Sequence, residues 1–391
     1  MELSIFLEPV QVQLPEKPWR PGRKRLGETL VIYREKDAFP DLEEVKLAII
    51  GVKEDRNAIG NEGCGKAPDL IREAFYQLFD HWPNLKFADL GDIKPGYTIE
   101  DTYFALSQVA SDLIRAEIIP IVLGGSQDLT YAIYKAYENI GRLVNIAAID
   151  PIFDLGQDEE PINSQAYLSH IIMHQPNFLF NFSNLGYQTY DVDAEAVELM
   201  KNLLFDVYRL GTLKSSPEDA EPLLRNADIV SFDVSAIRAS DAPGNRNAEP
   251  NGFTGDESCR LARYAGMSDK LSAIGFFEYN PLVDQHNITA KLMAQLIWYF
   301  AEGFANRKHD LPATDSRDFA KYNVRIEGQE EDVVFLRSKK TDRWWIDLSF
   351  GRTDRKKYER HHFVPCTKAD YELALKDELP DRWWQYFQKL M

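Results

Sequence analysis

Residues 118–154 read IIPIVLGGSQDLTYAIYKAYENIGRLVNIAAIDPIFD, and this stretch decides the fold class. Two apolar runs, 118–123 and 144–149, flank a segment of helical period near 128–140. Continuous apolar strands that alternate with helices of about 10 to 15 residues are typical of βαβ units, whose parallel strands are buried on both faces. The stretch therefore predicts a parallel sheet that is covered by helices on both sides.

The same alternation extends from residue 45 to about residue 303. It predicts further strands at 45–52, 178–185, 206–210, 228–232 and 271–277, and helices near 67–80, 100–116, 164–174, 194–203, 255–266 and 288–304. We therefore predict an α/β fold with three layers, α-β-α, around a central, mostly parallel sheet over residues 45–305. An irregular segment, 1–44, precedes this domain, and a small C-terminal extension, 306–391, follows it.

The extension contains four of the seven tryptophans, in two copies of Asp-Arg-Trp-Trp at 342–345 and 381–384. A basic, polar stretch from Arg352 to His362 lies between the two copies. One interpretation is a small subdomain whose tryptophans pack onto the main sheet. The other is a partner-binding module, because Trp and Arg dominate binding hot spots.

The composition restricts the classes of partner. The 391 residues include 62 acidic and 45 basic side chains, for a formal net charge of -17, which repels phosphate backbones and anionic membranes. Neither nucleic acid binding nor membrane insertion is therefore expected. The unevenly spaced Cys64, Cys259 and Cys366 suit a reducing compartment. With no secretory signal visible and no apolar run of about 18 residues, the sequence predicts a cytoplasmic location.

Acidic residues follow four of the predicted strands, where each strand ends. They are Asp128, Asp150 with Asp154, Asp233 and Glu278. Because ligands bind outside the carboxyl ends of parallel strands, these side chains are expected to converge. Buried carboxylates that converge either bind a cation or raise one another's pKa until some are neutral.

Four sequence fragments, in this order, resemble the motifs of the ureohydrolase superfamily, which contains arginase, agmatinase and formimidoylglutamase. They are GGSQD at 124–128, DPIFD at 150–154, SFDVSAIRASDAPG at 231–244 and EYNP at 278–281. The family forms are GGGHD, DAHxD, SxDxDxxDPxxAPG and ExNPxxD. The resemblance covers about residues 45 to 304 and is nearest to formimidoylglutamase. It implies an arginase-like fold and a homo-oligomer.

The resemblance also implies six side chains that hold two manganese ions and a shared hydroxide, which attacks a guanidinium or imino carbon. Gln127 and Ile152 stand where the family has histidines, and Ser235 stands where it has an aspartate. Three of the six ligands are therefore replaced, and the following Asp-Pro is Arg238-Ala239. The metal site that would include Ile152 and Ser235 is expected to be empty, because isoleucine has no lone pair to donate.

The other implied metal site keeps Asp150, Asp154 and Asp233, with Gln127 in place of a histidine. These are all oxygen ligands and suit Mg²⁺, Ca²⁺ or Mn²⁺. We therefore expect either no metal or one divalent cation, and we do not expect binuclear manganese. The resemblance also assigns catalytic roles to Asp128 and Glu278, which are both retained in this sequence. If the protein is inactive, these two residues are vestigial.

Three functions follow from this pattern. The first is a pseudoenzyme that has lost binuclear-manganese hydrolysis and acts as a scaffold, a sensor or a partner-binding protein, with residues 306–391 as the surface for a protein partner. The second is a single-metal hydrolase of a C–N bond in a formimino or guanidino compound, with Glu278 orienting a cationic substrate. The third is a binding protein for an amine or a guanidinium compound.

Four further residues near the motifs have simpler interpretations. Arg238 is predicted to offset the charge of the clustered carboxylates. His170 and His174, spaced i and i+4, are interpreted as an exposed or capped pair on a helix rather than as metal ligands. Cys64 is not expected to be a reactive thiol, because no adjacent base accompanies it.

Overall fold

The computed structural model describes residues 3–12, 24–157, 159–312, 317–329, 331–349 and 356–390. Its main sheet has ten strands, numbered β1 to β10 in chain order: Leu7–Glu8, Val31–Ile32, Val45–Gly51, Lys86–Ile93, Ile119–Leu123, Val144–Ile149, Leu179–Tyr187, Asp206–Arg209, Ile229–Asp233 and Ala273–Phe277. The spatial order is β1-β4-β3-β5-β10-β9-β6-β7-β8, with β2 beside β4. Every pairing is parallel except that of β1 with β4.

Twelve α-helices, α1 to α12, occur in the part of the chain that is described. They are Leu26–Thr29, Ala67–Phe75, Ile99–Arg115, Leu129–Ile140, Tyr167–Met173, Ala194–Asn202, Leu210–Ser215, Ala220–Asn226, Gly255–Gly266, Ile288–Ala305, Lys368–Ala374 and Asp381–Leu390. Local sequence sets several of their ends. Thr98 with Asp101, and Thr254 with Glu257, form capping boxes at the starts of α3 and α9, while Gly141 ends α4 at a φ of +72°.

Two apolar layers lie on opposite faces of the main sheet. Ile121 of β5 belongs to the same apolar cluster as Phe300 of α10, whereas the next residue, Val122, belongs to the cluster that contains Ile133 of α4. Successive side chains of a strand point to opposite faces, so a strand with helices on both sides is apolar at every position. The three-layer α/β fold with a mostly parallel central sheet is thereby confirmed.

The sequence pattern missed β4, Lys86–Ile93, because two aspartates interrupt its apolar run. Asp89 and Asp92 are fully buried beneath Arg72 of α2, whose Nε lies 2.9 Å from Asp89 Oδ2 and which also contacts Asp92. Lys53 Nζ adds a second cation 2.8 Å from Asp92. Buried charges paired in this way are compatible with a central strand, but no apolar pattern marks them.

The extension folds as a separate sheet with two helices. Its four antiparallel strands, β11 to β14, are Phe319–Val324, Val333–Ser338, Trp344–Asp347 and Phe363–Cys366, paired in chain order. Part of the basic stretch predicted between the tryptophan pairs, 352–355, lies outside the described residues. Leu143 and Phe180 of the main domain share one apolar cluster with β12, β13 and α12.

Three of the four tryptophans of the extension are buried, and Trp384 is half exposed. Trp344 stacks on Tyr371 with ring centroids 4.8 Å apart, and Trp383 stacks on Phe387 at 4.6 Å. Trp345, 1% exposed, lies under the guanidinium of Arg225 from α8. Trp344 and Trp383 therefore belong to the apolar cluster that contains Phe180 of main-sheet strand β7, and Trp345 packs against α8, an arrangement in keeping with a subdomain whose tryptophans pack onto the main domain. In the described ranges, no helix is long and apolar enough to cross a membrane.

Candidate active site

A cavity of about 420 Å³ opens at the carboxyl ends of the main-sheet strands. Its walls come from the segments that follow β6, β7, β9 and β10, which is where ligands bind in open parallel sheets. The lining residues are Pro151, Ile152, Asp154, Ser164, Gln165, Asp191, Asp233, Ser235, Asn245, Arg246, Asn247, Ala248, Glu249 and Glu278. Of the five strand-end carboxylates that were expected to converge, Asp154, Asp233 and Glu278 line this cavity.

Asp150 and Asp233 adopt the same local geometry at the ends of β6 and β9. Asp150 Oδ1 accepts a hydrogen bond from the backbone N–H of Ile152 at 2.8 Å, and Asp233 Oδ1 accepts one from Ser235 at 2.6 Å. Such turns, in which an aspartate binds the backbone two residues on, fix the side chain without any distant partner. Asp154, at a φ of +52°, brings a third carboxylate to the same wall.

The carboxylate cluster is buried and incompletely hydrogen-bonded. Asp150 Oδ2 and Asp154 Oδ2 are buried and have no hydrogen bond of normal geometry with any described residue, although the Asp150 carboxyl group contacts both Gln127 and Asp154. Burial, followed by the charges of Asp150, Asp233 and Glu278, raises the pKa of Asp154 well above its usual range. Burial, followed by the charges of Asp150 and Glu278, also raises the pKa of Asp233 well above its usual range. The cluster therefore holds its protons to a higher pH than isolated carboxyl groups do, unless a cation compensates its charge.

Glu278 follows β10 at a φ of +64° and is held at both oxygens. Its Oε1 accepts from the backbone N–H of Gln127 at 2.9 Å, and its Oε2 accepts from Asn61 Nδ2 at 2.7 Å. Burial raises the pKa of Glu278 to about 7, although these two hydrogen bonds oppose the shift. Glu278 therefore presents a fixed carboxyl group to the cavity.

Gln127 and Asp128 are both buried, but they face different surroundings. Gln127 Nε2 donates to Ser231 Oγ at 3.2 Å and to Tyr167 Oη at 3.3 Å. Asp128 is absent from the cavity lining and accepts a hydrogen bond from the Tyr103 hydroxyl. Burial raises the pKa of Asp128. Asp128 therefore supports the wall behind the site and does not touch a molecule in the cavity.

The side chains present do not fit a binuclear manganese centre. Ile152 and Ser235 line the cavity where the resemblance requires a histidine and an aspartate, and the Gln127 amide nitrogen is turned toward Ser231. An alkyl side chain supplies no ligand atom, and a neutral hydroxyl is a poor substitute for a bridging carboxylate. Within the described ranges, no group of three or more His, Cys, Asp or Glu side chains is arranged to hold a metal ion.

The prediction for Arg238 is wrong. Its Nε pairs with Asp241 Oδ1 at 2.9 Å, its side chain is 42% exposed, and it does not line the cavity. Asp241 Oδ2 accepts from the backbone N–H of Gly255, so the pair joins this loop to the start of α9. The cation that does line the cavity is Arg246, which sequence reasoning missed although it lies two residues after the Ala-Pro-Gly of the third motif.

The histidine pair and Cys64 do not line the cavity. His170 Nε2 contacts the carbonyl oxygen of Glu160 at 2.9 Å, and His174 lies 3.2 Å from Glu138. Cys64 is fully buried, and its burial raises the pKa of the thiol. None of the three side chains is placed to contact a molecule in the cavity.

Sequence reasoning also missed a layer of amides behind Glu278. Asn245 Nδ2 donates to the Glu278 carbonyl oxygen at 2.8 Å, and Asn280 Nδ2 donates to Asn61 Oδ1 at 3.1 Å. Isolated asparagines in loops form no periodic pattern. Asn245 directly follows the third motif, 231–244, and Asn280 lies inside the fourth, 278–281, whereas Asn61 lies beside neither of them.

Comparison with known proteins agrees with this architecture. The model of the arginase family matches residues 45–302. Formimidoylglutamase of Staphylococcus haemolyticus is 26% identical over 259 residues, covering 64% of this chain and 82% of that protein. Formimidoylglutamase of Streptococcus gordonii is 26% identical over 289 residues, covering 68% and 86%.

Solved structures share the fold. Formiminoglutamase of Trypanosoma cruzi with Mn²⁺ superposes with a TM-score of 0.65 at 20% identity, covering 73% of this chain and 99% of that one. Formimidoylglutamase of Bacillus subtilis gives a TM-score of 0.66 at 18% identity, covering 76% and 98%. The family match over residues 45–302, about two-thirds of the chain, establishes that the chain belongs to the arginase family.

Proposed function

We propose that this chain is an arginase-family protein without binuclear-manganese hydrolysis, which keeps the acidic cavity as a binding site for a small amine, amidine or guanidinium compound. The observation that carries the proposal is the donor set of the cavity. Ile152 and Ser235 line it in place of two ligands, and the Gln127 side chain donates to neighbouring hydroxyls. Two ions and a shared hydroxide would have too few ligands here.

The retained carboxylates support cation binding. Asp154, Asp233 and Glu278 line the cavity, and the buried Asp154 Oδ2 lacks a donor among the described residues. An ammonium, amidinium or guanidinium group supplies N–H donors to such an oxygen and compensates the charge of its neighbours. Binding of this kind needs no metal ligand at the replaced positions, and a protein that binds without turnover suits the role of a sensor.

A single-cation hydrolase is the second candidate, because Asp154 lines the cavity, Asp150 interacts with it from behind, and each has a buried Oδ2 atom with no donor of normal geometry among the described residues. Asp150, Asp154 and Asp233 would hold the ion, which would polarise a bound water or an imino group. In the described arrangement these carboxylates do not form a ligand group, so the ion would have to draw them together. Glu278, whose carboxyl group is already fixed, would orient the cationic end of the substrate.

A hydrolysis assay tests the proposal. The purified full chain is incubated with Mn²⁺ and then with N-formimidoyl-L-glutamate, L-arginine or agmatine, while formamide and urea release are followed. We expect no turnover, and thermal stabilisation by at least one of the compounds. Metal-dependent turnover by the unmodified chain would contradict the proposal and favour the second candidate.

A restored variant sharpens the test. Gln127→His, Ile152→His and Ser235→Asp together return the six ligands that the resemblance requires. If the wall is otherwise intact, this triple variant gains bound manganese relative to the original chain. If it gains none while it remains folded, the cavity has been remodelled beyond the three replacements.

A further inference from the structure

His361 ends a short 3₁₀ turn of the extension, Lys356–His361, at the junction with the main domain. Its ring is 2% exposed and stacks on Phe180 of β7, with the two ring centroids 3.9 Å apart. Phe180 in turn belongs to the apolar cluster that joins the extension to the main sheet. The imidazole is therefore buried between the two parts of the chain.

Neither ring nitrogen of His361 has a hydrogen-bond partner among the described residues. A neutral imidazole in this place packs as a flat ring against the face of Phe180. An imidazolium would carry two N–H donors without an acceptor and would lose its hydration. The π face of Phe180 attracts a cation, but this attraction replaces only a small part of the lost hydration. The docked extension therefore favours the neutral ring.

The charges that act most strongly on His361 are those of cations. They belong to Lys270, which precedes β10, to Arg360 and His362 of the same segment, and to Lys389 of α12. Burial, followed by the charges of Lys270 and Arg360, lowers the pKa of His361 well below its usual value. Burial also lowers the pKa of Lys270 and that of Lys389 to about 8, so both lysines are already charged at pH 7. Acid therefore charges the imidazole in a field that is already positive.

The buried carboxylates of this junction are engaged by other donors. Asp228 accepts from Arg360 at 2.7 Å and from the backbone N–H of Asn145 at 2.9 Å. Asp206 Oδ2 accepts from Asn181 Nδ2 at 2.8 Å. Neither carboxylate forms a hydrogen bond with the imidazole of His361. The other titratable groups that pack on Phe180 are two phenols, which carry no charge in acid, Tyr358 and Tyr386.

We propose that His361 is a pH-sensitive switch of the extension: its protonation opens the turn that carries it, together with β14, away from Phe180, while the main sheet stays folded. The inference goes beyond the proposed function, because it concerns the amino ends of the main sheet and requires no ligand in the cavity. In the open form the imidazolium is hydrated, and the face of Phe180 is uncovered.

The position of β14 suits such a partial opening, because within the described ranges this strand lies at the edge of the small sheet and pairs with β13 alone. Opening also breaks the pair between Arg360 and Asp228, so the closed form prevails at neutral pH. The imidazole of the open form has the ordinary pKa of about 6.5. Each pH unit below that value therefore raises the population of the open form about tenfold, until the pKa of the docked ring is reached.

Two buried cysteines distinguish this opening from unfolding of the whole chain. Cys366 is the last residue of β14 and is 2% exposed, whereas Cys64 lies in the main domain and is fully buried. A pyridyl disulfide reagent labels thiols even in acid, and it reaches a buried thiol only when that thiol is uncovered. The ratio of the labelling rates of Cys366 and Cys64, measured by mass spectrometry at one pH, largely cancels the pH dependence of the reagent.

Between pH 7.5 and pH 5, this ratio should rise about 30-fold in the full chain. In His361→Phe, which keeps a stacked ring without a titrating group, the ratio should change by less than about threefold. His361→Leu should behave in the same way and serves where the phenyl ring is too large for the site. His309→Asn is the matched control, because the side chain of His309 is 85% exposed, and it should keep the full rise.

Thermal melts at pH 7.5 establish that each variant is folded. An undiminished rise in a folded His361→Phe or His361→Leu variant overturns the inference. The original chain alone also tests it without any variant. If acid accelerates the labelling of Cys64 as much as that of Cys366, the ratio stays constant, and acid unfolds the whole chain instead of opening the extension.

Discussion

The two ends of the main sheet bury acidic residues in opposite ways. At the amino ends, Asp228 accepts from Arg360 at 2.7 Å and from the backbone N–H of Asn145 at 2.9 Å. At the carboxyl ends, Asp150 and Asp154 each keep an oxygen without a donor among the described residues. Carboxylates with full hydrogen bonding stabilise a fold, whereas unsatisfied ones are tolerated where a ligand completes them.

The extension supplies many of the hydrogen bonds to buried polar groups at the amino ends of the main sheet. Tyr386 of α12 accepts from Asn226 Nδ2 at 2.6 Å and lies 3.4 Å from Asp206 Oδ2, which also accepts from Asn181. Arg225 of α8 donates to backbone carbonyl oxygens of β13 and β14. We infer that the extension is a structural cover for the amino ends, opposite the cavity.

Removal of the extension should have the largest effect. Truncation after Ala305 exposes Leu143 and Phe180 and leaves Asp228 without Arg360. The loss should exceed the roughly 3 kcal/mol that removal of a single large buried aromatic costs, so that cooperative unfolding is lost or strongly weakened. Chemical denaturation of the truncated and full chains measures the difference. Equal free energies of unfolding would show that the extension is an independent module.

The same substitution at the two ends gives the next largest contrast. Asp228→Asn should lower the free energy of unfolding by about 2 kcal/mol, because it weakens the hydrogen bonds that the buried Asp228 carboxylate accepts from the partly exposed Arg360 and from the backbone of Asn145. Asp154→Asn should leave that energy unchanged or raise it by about 1 kcal/mol, because it removes one of several repelling carboxyl groups. Denaturation at neutral pH with a chelator measures both. Losses of similar size at both ends would contradict the comparison.

The carboxyl-end cluster should make the metal-free protein less stable as pH rises. The folded-state pKa values of Asp154 and Asp233 lie above their unfolded values, and that of Glu278 is raised to about 7. The folded state therefore holds more protons than the unfolded state above about pH 4, and stability falls as pH rises toward 7. Thermal melts from pH 5 to 8 should show a weaker decline for Asp154→Asn than for the original chain. Parallel curves would contradict the expectation.

The amino end should have the opposite pH dependence, through His361. Its ring is 2% exposed, stacks on Phe180 with centroids 3.9 Å apart, and has no hydrogen-bond partner among the described residues. Burial, followed by the charges of Lys270 and Arg360, lowers the pKa of His361 well below its usual value. The unfolded chain therefore takes up the proton first, and stability is lost as pH falls below about 6.5.

His361→Phe tests this dependence because it keeps the stacked ring and removes the titrating group. Between pH 7 and 5, the variant should lose less stability than the original chain in denaturant titrations. Arg360, Lys270 and Lys389 remain, and Asp228 stays paired, so their contributions cancel in the comparison. An equal loss of stability in both chains would show that groups other than His361 cause the acid sensitivity.

The smallest stability effect is expected at Trp384, the half-exposed tryptophan of the extension. Trp384→Ala should change the free energy of unfolding by less than about 0.5 kcal/mol, as is usual for exposed positions. We propose that, if the extension also binds a protein partner, Trp384 contributes to that surface. Co-purification with the original chain and with Trp384→Ala measures whether a bound protein partner is lost in the variant. A loss of several kcal/mol in stability would mean that Trp384 is structural.

Most of the fold could be predicted from sequence, because strands that are buried on both faces appear as continuous apolar runs. The predicted strands and helices of the main domain agree with the structure to within a few residues, whereas β4 was hidden by the ion pairs of Asp89 and Asp92. The antiparallel sheet of the extension was also missed. Strand β11 is partly exposed, and the apolar runs of β12 and β13 end after three or four residues at Arg337 and Asp347, so these strands lack the continuous runs of a parallel sheet.

The site was only partly predictable. Motif positions indicated the carboxylates because strand ends converge by topology alone. The direction of a long side chain depends on contacts that distant segments supply, and this is why Arg238 was placed wrongly and Arg246 was missed. The amides around Glu278 lie in three separate loops, so only the folded chain brings them together.

The most direct test of the central claim is the manganese content of the full chain after incubation with excess Mn²⁺ and removal of loosely bound ions. Elemental analysis on folded, monodisperse protein gives the number of ions per chain, and the same sample is assayed for formamide or urea release. The donor set of the cavity predicts at most one ion per chain and no turnover. Two manganese ions per chain together with turnover would contradict the claim that binuclear hydrolysis has been lost.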